Sequence, residues 1–248
     1  MEKIKLNDIT LCSFCWGDNF INNTLRSMLI CMDKCEFDDV IMITNTKDID
    51  NIEKHDGIRV QQVSFDLNNN LKNDDVNREN FSKIFLENLN KFITTEYCLT
   101  VQPDSTIINV CSWTNEFLDY DYIGAPWPLK ILTSSDMCAN KINFFPNTVG
   151  NGGFSIRSKK FIECSLKMET YHKNEDLNLC IFNYQKMRDL GITFAPKELA
   201  CKFSLEHPID DVKEFNRDTL FTYNSFGFHG TFNSAGMDYI DNYFEEKV

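Results

Sequence analysis

Apolar positions in the first hundred residues follow two alternating rhythms. Ile9-Thr-Leu-Cys-Ser-Phe14 and Val40-Ile-Met-Ile-Thr44 are short, nearly continuous apolar runs, the pattern of strands buried on both faces. Ile58-Arg-Val-Gln-Gln-Val-Ser-Phe65 and Glu96-Tyr-Cys-Leu-Thr-Val-Gln102 predict a third and a fourth strand. Between them the period becomes helical. Ile21 to Cys35 sets Leu25, Met28, Leu29 and Cys31 on one stripe, and Val76 to Phe92 gathers Phe81, Ile84, Phe85, Leu89 and Phe92 on one face. The Asn-rich piece from Leu67 to Asn77 has no apolar period and predicts a loop. Short apolar strands separated by helices predict an α/β protein, a mostly parallel sheet covered on both faces. In such sheets ligands bind beyond the carboxyl ends of the strands, where Ser13 to Asp18 and Gln102 to Ser105 fall.

The second half is less regular. Asp119-Tyr-Asp-Tyr-Ile-Gly-Ala-Pro-Trp-Pro128 predicts a short strand running into an aromatic turn. Val149-Gly-Asn-Gly-Gly-Phe-Ser-Ile156 concentrates glycine in a chain that has only ten. Asn174 is placed to cap a helix from Glu175 to Leu190, which Gly191 stops. Phe226-Gly-Phe-His-Gly230 sets two more glycines around a histidine. With no internal repeat, Pro/Ser linker or composition break, the chain reads as one domain over residues 1–248.

Composition narrows the partners. An apolar fraction of 42% excludes a disordered chain, and 37 acids against 25 bases give a formal charge of −12. That charge argues against a nucleic-acid backbone or an anionic membrane as partner. An anionic small substrate stays open if a cation offsets the repulsion. Met1 to Asp8 leads into no apolar stretch of signal-peptide length, and no apolar run is long enough to span a bilayer. The expectation is a soluble, cytoplasmic protein with reduced cysteines. Cys12, Cys15, Cys31 and Cys35 are spaced like a four-thiolate zinc site or, for the first two, a redox motif. The odd spacing of Cys12 and Cys15 within a strand points them to opposite faces, and Cys31 belongs to a helical apolar stripe, so core packing is the stronger reading.

Four segments could carry chemistry, each with a plainer alternative. Asp104, at the mouth of the fourth strand, is placed to hold Mg²⁺ or Mn²⁺ against a diphosphate, or to accept turn hydrogen bonds. Gly150-Asn-Gly-Gly153 would let a ligand approach the backbone, or simply form a bulge; it has neither Walker nor dinucleotide spacing. Glu175 and Asp176 open a helix, where acids suit the dipole and where a carboxylate could also serve as general base. His229, between glycines, suits a metal ligand or phosphate contact, or a structural role.

The order of these segments resembles that of GT-A nucleotide-sugar glycosyltransferases. More closely, Gln102-Pro-Asp104, Asp121-Tyr-Ile-Gly-Ala-Pro-Trp127, Val149-Gly-Asn-Gly-Gly-Phe-Ser-Ile-Arg-Ser158, Glu175-Asp176, Gly191-Ile-Thr-Phe-Ala-Pro196, Phe203-Ser-Leu-Glu206 and Phe226-Gly-Phe-His-Gly230 resemble a family of predicted glycosyltransferases catalogued as a domain of unknown function. The likeness runs from about Ile9 to Gly230. It implies a GT-A-like, Rossmann-like mixed sheet, with a nucleotide-binding half up to about residue 105 and an acceptor and catalytic half from about 106 to 248.

The implied activity moves a sugar, a hexose being the expected kind, from a nucleotide-diphosphate donor, UDP-sugar favoured, to a glycan, glycolipid or protein hydroxyl. Asp176 would be the base of an inverting displacement, with Glu175 beside it, and Asp104 with His229 would hold Mn²⁺ or Mg²⁺; no organic cofactor is implied. Asn151, Gly152 and Gly153 would line the donor-sugar pocket, and Trp127 would offer an aromatic face. Ser13, Cys15, Asp18, Thr44 and Asn45 would lie near base and ribose, and Arg157 or Lys159 could add local positive charge. Gln102 stands where the family's metal motif has its first acid, which keeps open a degenerate binding protein beside a retaining transferase. The Asn-, Lys- and Ile-heavy composition suggests an A/T-rich genome, such as that of a large DNA virus or a protist.

Overall fold

The predicted apolar runs form the centre of a six-stranded sheet. The structure, a computed structural model, describes residues 3–47, 49–64, 74–129, 132, 147–207, 209, 224–231 and 233–245. Strands β1 (Ile4–Cys15), β2 (Cys35–Thr44), β3 (Arg59–Gln62) and β4 (Tyr97–Val101) are mutually parallel. β6 (Tyr122–Gly124) and β7 (Phe154–Ser158) complete the order β3-β2-β1-β4-β7-β6, with β7 antiparallel to both neighbours. A smaller sheet, β5 (Ser105–Ile107), β9 (Gly227–His229) and β8 (Ser204–Leu205), grows from the turn after β4.

Alternation along the strands sorts side chains into two layers. Leu11, Met42, Leu99, Phe154 and Ile156 face helix α1 (Ile21–Lys34), which inserts Leu25, Met28 and Cys31. Cys12, Ile41, Ile43 and Cys98 face helix α3 (Asp74–Phe92), which follows the short α2 (Ile49–Glu53) and inserts Phe85, Leu86 and Leu89. Cys12 and Cys15 fall in opposite layers, as their spacing predicts, and the described cysteines are free thiols. Burial pushes the Cys31 thiol up to about 11, which favours the neutral thiol over the thiolate that zinc needs. No helix among the described residues is long and apolar enough to cross a membrane.

Several boundaries differ from the sequence expectation. β1 begins five residues early, at Ile4, and absorbs a register shift between Leu6 and Thr10 where Asp8 takes φ 59°. Helix α1 gives way to β2 at Cys35 with no loop between them. β3 ends at Gln62, and Phe65 lies outside the described residues. Of the expected loop, residues 67–73 also lie outside, while 74–77 are already helical.

The helix expected from Glu175 to Leu190 is interrupted. An α turn at Glu175–Leu177 passes into a π turn at Asn178–Phe182, then a second α segment at Tyr184–Asp189. Periodicity alone does not show the interruption. Asn178 and Asn183 tie the interrupted turn to the preceding segment: the Asn178 amide oxygen accepts the Tyr171 and His172 amides, and both side-chain amides donate to the Glu169 carbonyl. Asn174 has an extended, cap-like backbone but makes no side-chain capping bond, whereas Gly191 ends the segment at φ +79° as expected.

β6 is held close to the glycine segment. A Cβ on Gly124 would stand 2.1 Å from the Asn151 carbonyl oxygen, a backbone atom that cannot rotate away. Gly124→Ala is therefore expected to destabilise the fold by about 1–3 kcal/mol through overpacking. It would appear as a lower urea midpoint at unchanged slope; an unaltered midpoint would show that this approach is not tight.

Candidate functional site

The site is built at the carboxyl edge of β4. Pro103 ends the strand, and Ser105 closes the turn: its hydroxyl oxygen accepts the Gln102 amide at 2.8 Å and its proton reaches the Gly153 carbonyl at 2.9 Å. β5 then pairs with β9 so that Ser105 stands opposite His229. The imidazole Nε2 consequently lies 3.4 Å from Asp104 Oδ1 and 3.1 Å from Gln102 Oε1. Asp104 Oδ2 accepts the Thr231 amide at 3.0 Å.

Burial works against charge on Asp104, but His229 and the Thr231 amide outweigh it and hold the carboxyl below its ordinary range. Burial likewise works against a charged His229, yet Asp104 on one side and Glu206 on the other raise it to about 10. Glu206 Oε1 lies 3.3 Å from Nδ1, although without the alignment of a hydrogen bond.

Residues 150–153 form the opposite wall. Gly150, Gly152 and Gly153 do not take positive φ, and the reason for these glycines is steric. A Cβ on Gly150 would meet the Trp127 ring at 2.5 Å, one on Gly152 the Glu175 carboxylate at 2.5 Å, and one on Gly153 the His229 ring at 2.1 Å. The approach these glycines permit is that of the protein's own side chains. Trp127 is buried against Gly150, which corrects the expectation that it offers an aromatic face to a ligand. Asn151 is buried too, its side-chain oxygen accepting the Gly153 amide at 3.2 Å.

Asp176 and Glu175 reach this wall from the helix start. Asp176 Oδ2 accepts the Gly152 amide at 3.1 Å and Oδ1 the Leu177 amide at 2.7 Å. Glu175 Oε1 pairs with Arg157 Nη2 at 2.7 Å. Burial, then the charge of Glu175, pushes Asp176 up to about 7 despite those two amides. Arg157 is fully buried, lying against the rings of Phe85 at 4.9 Å and Tyr122 at 5.6 Å and donating to Ser155 Oγ at 3.1 Å. It therefore neutralises Glu175 and does not face a substrate diphosphate. Lys159 is also placed away from the site: its amide bonds the Glu96 carbonyl, at the opposite end of β4.

The proposed base-and-ribose residues separate into two groups. Ser13 donates to the Val101 carbonyl at 2.8 Å, and the Thr44 hydroxyl accepts the Thr46 amide at 3.1 Å; both are buried within the sheet, so neither is open to a ligand. Asp18 accepts the Thr46 hydroxyl, and Asn45 accepts the Gly17 amide at 2.9 Å, which ties the ends of β1 and β2 together. Cys15 does line a cavity of about 180 Å³, with Phe14, Trp16, Phe20, Thr24, Phe81, Gln102 and Pro103. Its aromatic members were missed, although Trp16 and Phe20 follow the first strand directly and Phe81 heads the apolar face of α3.

Glu206 was also missed as a site residue, its only signal being its place at the end of the Phe203-Ser-Leu-Glu206 block. The burial of Arg157, named as a candidate cation, could have been read from β7 itself, where an arginine two places after Ser155 must share its face and point into a helix-covered layer.

Among the described residues, no three His, Cys, Asp or Glu side chains are arranged as a metal site. Two donors do converge. Asp104 Oδ1 and His229 Nε2, 3.4 Å apart, match an ion such as Mn²⁺, which accepts both carboxylate and imidazole and takes further ligands from substrate oxygens.

Comparison with known proteins places the fold. The galactosyltransferase LgtC, solved in complex with donor and acceptor sugar analogs, is similar over 94% of this chain and 95% of its own, at 12% identity and a TM-score of 0.51. An active-site mutant of LgtC gives a TM-score of 0.52 at the same identity and coverage. A glycosyltransferase involved in glycosylation of the major capsid of PBCV-1 aligns over 94% of this chain and 98% of its own, at 15% identity and a TM-score of 0.47. The LgtC likenesses show that the fold is the GT-A fold of glycosyltransferases. No curated protein matches the chain. Residues 59–229, which include every site residue from Gln102 to His229, match a family model, and the chain belongs to that family, described as a protein of unknown function (DUF5672).

Proposed function

We propose that the chain is a glycosyltransferase that moves a hexose from a nucleotide-diphosphate sugar to an acceptor hydroxyl, with inversion and in the cytoplasm. One observation carries the reading. Two successive glycines, Gly152 and Gly153, bring a carboxylate base and an Asp–His donor pair to one strand end. The galactosyltransferase with the same fold binds donor and acceptor sugar analogs, which supports this substrate class. On this reading residues 1–248 are one domain. The half up to about residue 105 takes the nucleotide and the half from about 106 to 248 takes the acceptor and supplies the base.

Asp176 takes the acceptor proton. A carboxylate held near 7 is about half ionised at neutral pH and basic enough to accept that proton. Its two amide contacts fix its orientation and leave a lone pair on each oxygen. Glu175, paired with Arg157, sits beside it and keeps its basicity high. The cavity of Cys15, Trp16, Phe20, Phe81 and Gln102 would accept a flat nucleobase against its aromatic walls, with a UDP-sugar as favoured donor. Asp104 and His229 would hold Mn²⁺ or Mg²⁺, which when bound supplies positive charge against the diphosphate leaving group.

A binding protein without turnover is the second reading, favoured by Gln102 in place of an acid. Nucleotide release from a panel of UDP-, GDP- and dTDP-sugars, with Mn²⁺ and with EDTA, decides between them, and the anomeric configuration of the product decides between inversion and retention. No release from any donor, with Asp176→Asn and Asp104→Ala indistinguishable from wild type, would sink the transferase assignment.

Two outcomes follow for variants of an active enzyme. Asp176→Asn is expected to lower kcat by about 10²–10⁴-fold with little change in donor KM. Because the base acts deprotonated, wild-type kcat/KM should fall as pH drops through about 7, and a flat profile there would remove Asp176 as base. Gly153→Ala drives a methyl into the His229 ring, and a displacement of about 1 Å at a reacting centre costs on the order of 10²-fold. Steady-state rates should show that loss, and full activity would mean that the ring is free to move.

A further inference from the structure

We propose that Glu206 is a positioning residue, the third member of a carboxylate–imidazole–metal relay that orients His229 toward the ion. The proposal rests on the transferase reading above and deepens its metal site.

The backbone sets up the pair. β8 runs parallel to β9 with Ser204 opposite Gly227 and Leu205 opposite Phe228, so the next step along both chains brings Glu206 beside His229. Asn233 straps the two together: its buried side-chain amide donates to the Glu206 carbonyl at 3.2 Å and to the His229 carbonyl at 2.6 Å. Glu206 is itself only 8% exposed. Carboxylates are seldom buried without a partner that needs them.

The imidazole divides its nitrogens between two tasks. Nε2 faces Asp104 Oδ1 at 3.4 Å and Gln102 Oε1 at 3.1 Å, on the ligand side. Nδ1 faces inward, 3.3 Å from Glu206 Oε1. Neither Nδ1 nor Glu206 Oε2 has a hydrogen-bond partner, although His207 Nε2 lies 3.5 Å from Oε2. The inner side of the ring thus has an unpartnered Nδ1 with a carboxylate oxygen in reach. A small rotation of the ring aligns Nδ1–H on Oε1, which fixes the tautomer with its lone pair on Nε2, directed at the ion.

The test titrates Mn²⁺ into the full chain with UDP present, following the free-ion electron paramagnetic resonance signal. Glu206→Gln keeps the shape and removes the charge. It should weaken Mn²⁺ binding by about 10–100-fold while the metal-free melting temperature stays near wild type. On a His229→Ala background the same change should have no further effect, which a merely structural role for Glu206 would not produce.

If Glu206→Gln fails to fold, Glu206→Asp takes its place, with a smaller loss expected and the same dependence on His229. Wild-type affinity in Glu206→Gln, or an undiminished loss on the His229→Ala background, overturns the proposal. An Asp104→Asn control separates the two levels of inference. If that control also binds Mn²⁺ like wild type, or wild type binds none, the metal reading falls and takes the relay with it. If it loses Mn²⁺ while Glu206→Gln does not, only the relay falls.

Discussion

Two backbone positions without side chains hold the site together. At Gly152 the Glu175–Arg157 pair and Asp176 press against the chain, and at Gly153 the His229 ring does the same. Packed interiors leave no slack for a methyl group at such distances, so the strand end can be approached from two sides at once only if both positions stay bare. The rest of the site is arranged around that contact. The small sheet delivers His229, the interrupted helix delivers Asp176, and the turn after β4 delivers Asp104.

Charge is apportioned with similar economy. Four carboxylates, Asp104, Glu175, Asp176 and Glu206, surround a strand end that offers two cationic side chains, Arg157 and His229. Arg157 is spent on Glu175, and its cost of burial is offset by the rings of Phe85 and Tyr122 as well as by the ion pair. Asp176, without a cation of its own, becomes a weak acid. The excess of acid over base in the chain as a whole is thus present in miniature at its centre.

The fold was legible where one periodicity ruled a segment. β1, β2, β4 and α1 announce themselves because Leu11, Met42, Leu99 and Met28 have only one way to be buried. The site was legible as a set of segments and much less so in its detail. Gln102, Asp104 and His229 do meet, and Asp176 reaches the adjacent Gly152, but Trp127 and Ser13, which looked available, are consumed by Gly150 and by the Val101 carbonyl. A local pattern shows that a side chain is polar or aromatic; which neighbour reaches it first depends on pairings across the sheet. Glu206 was hidden for the same reason, since its partner His229 is brought alongside only by β8 and β9. The π turn after Asp176 was hidden because Asn178 and Asn183 act on Glu169, outside the helix whose period was being read.

The glycines of residues 150–153 carry one more consequence. Each is bare on account of a particular bulky group elsewhere: Trp127 for Gly150, Glu175 for Gly152, His229 for Gly153. Segments that look like independent words along the chain are therefore interlocking parts, and drift in one must be answered by its mate. Among relatives, a larger residue at any of these three positions should arrive only in company with a smaller one at its counterpart, a pattern of paired change that would trace the site without any ligand in view.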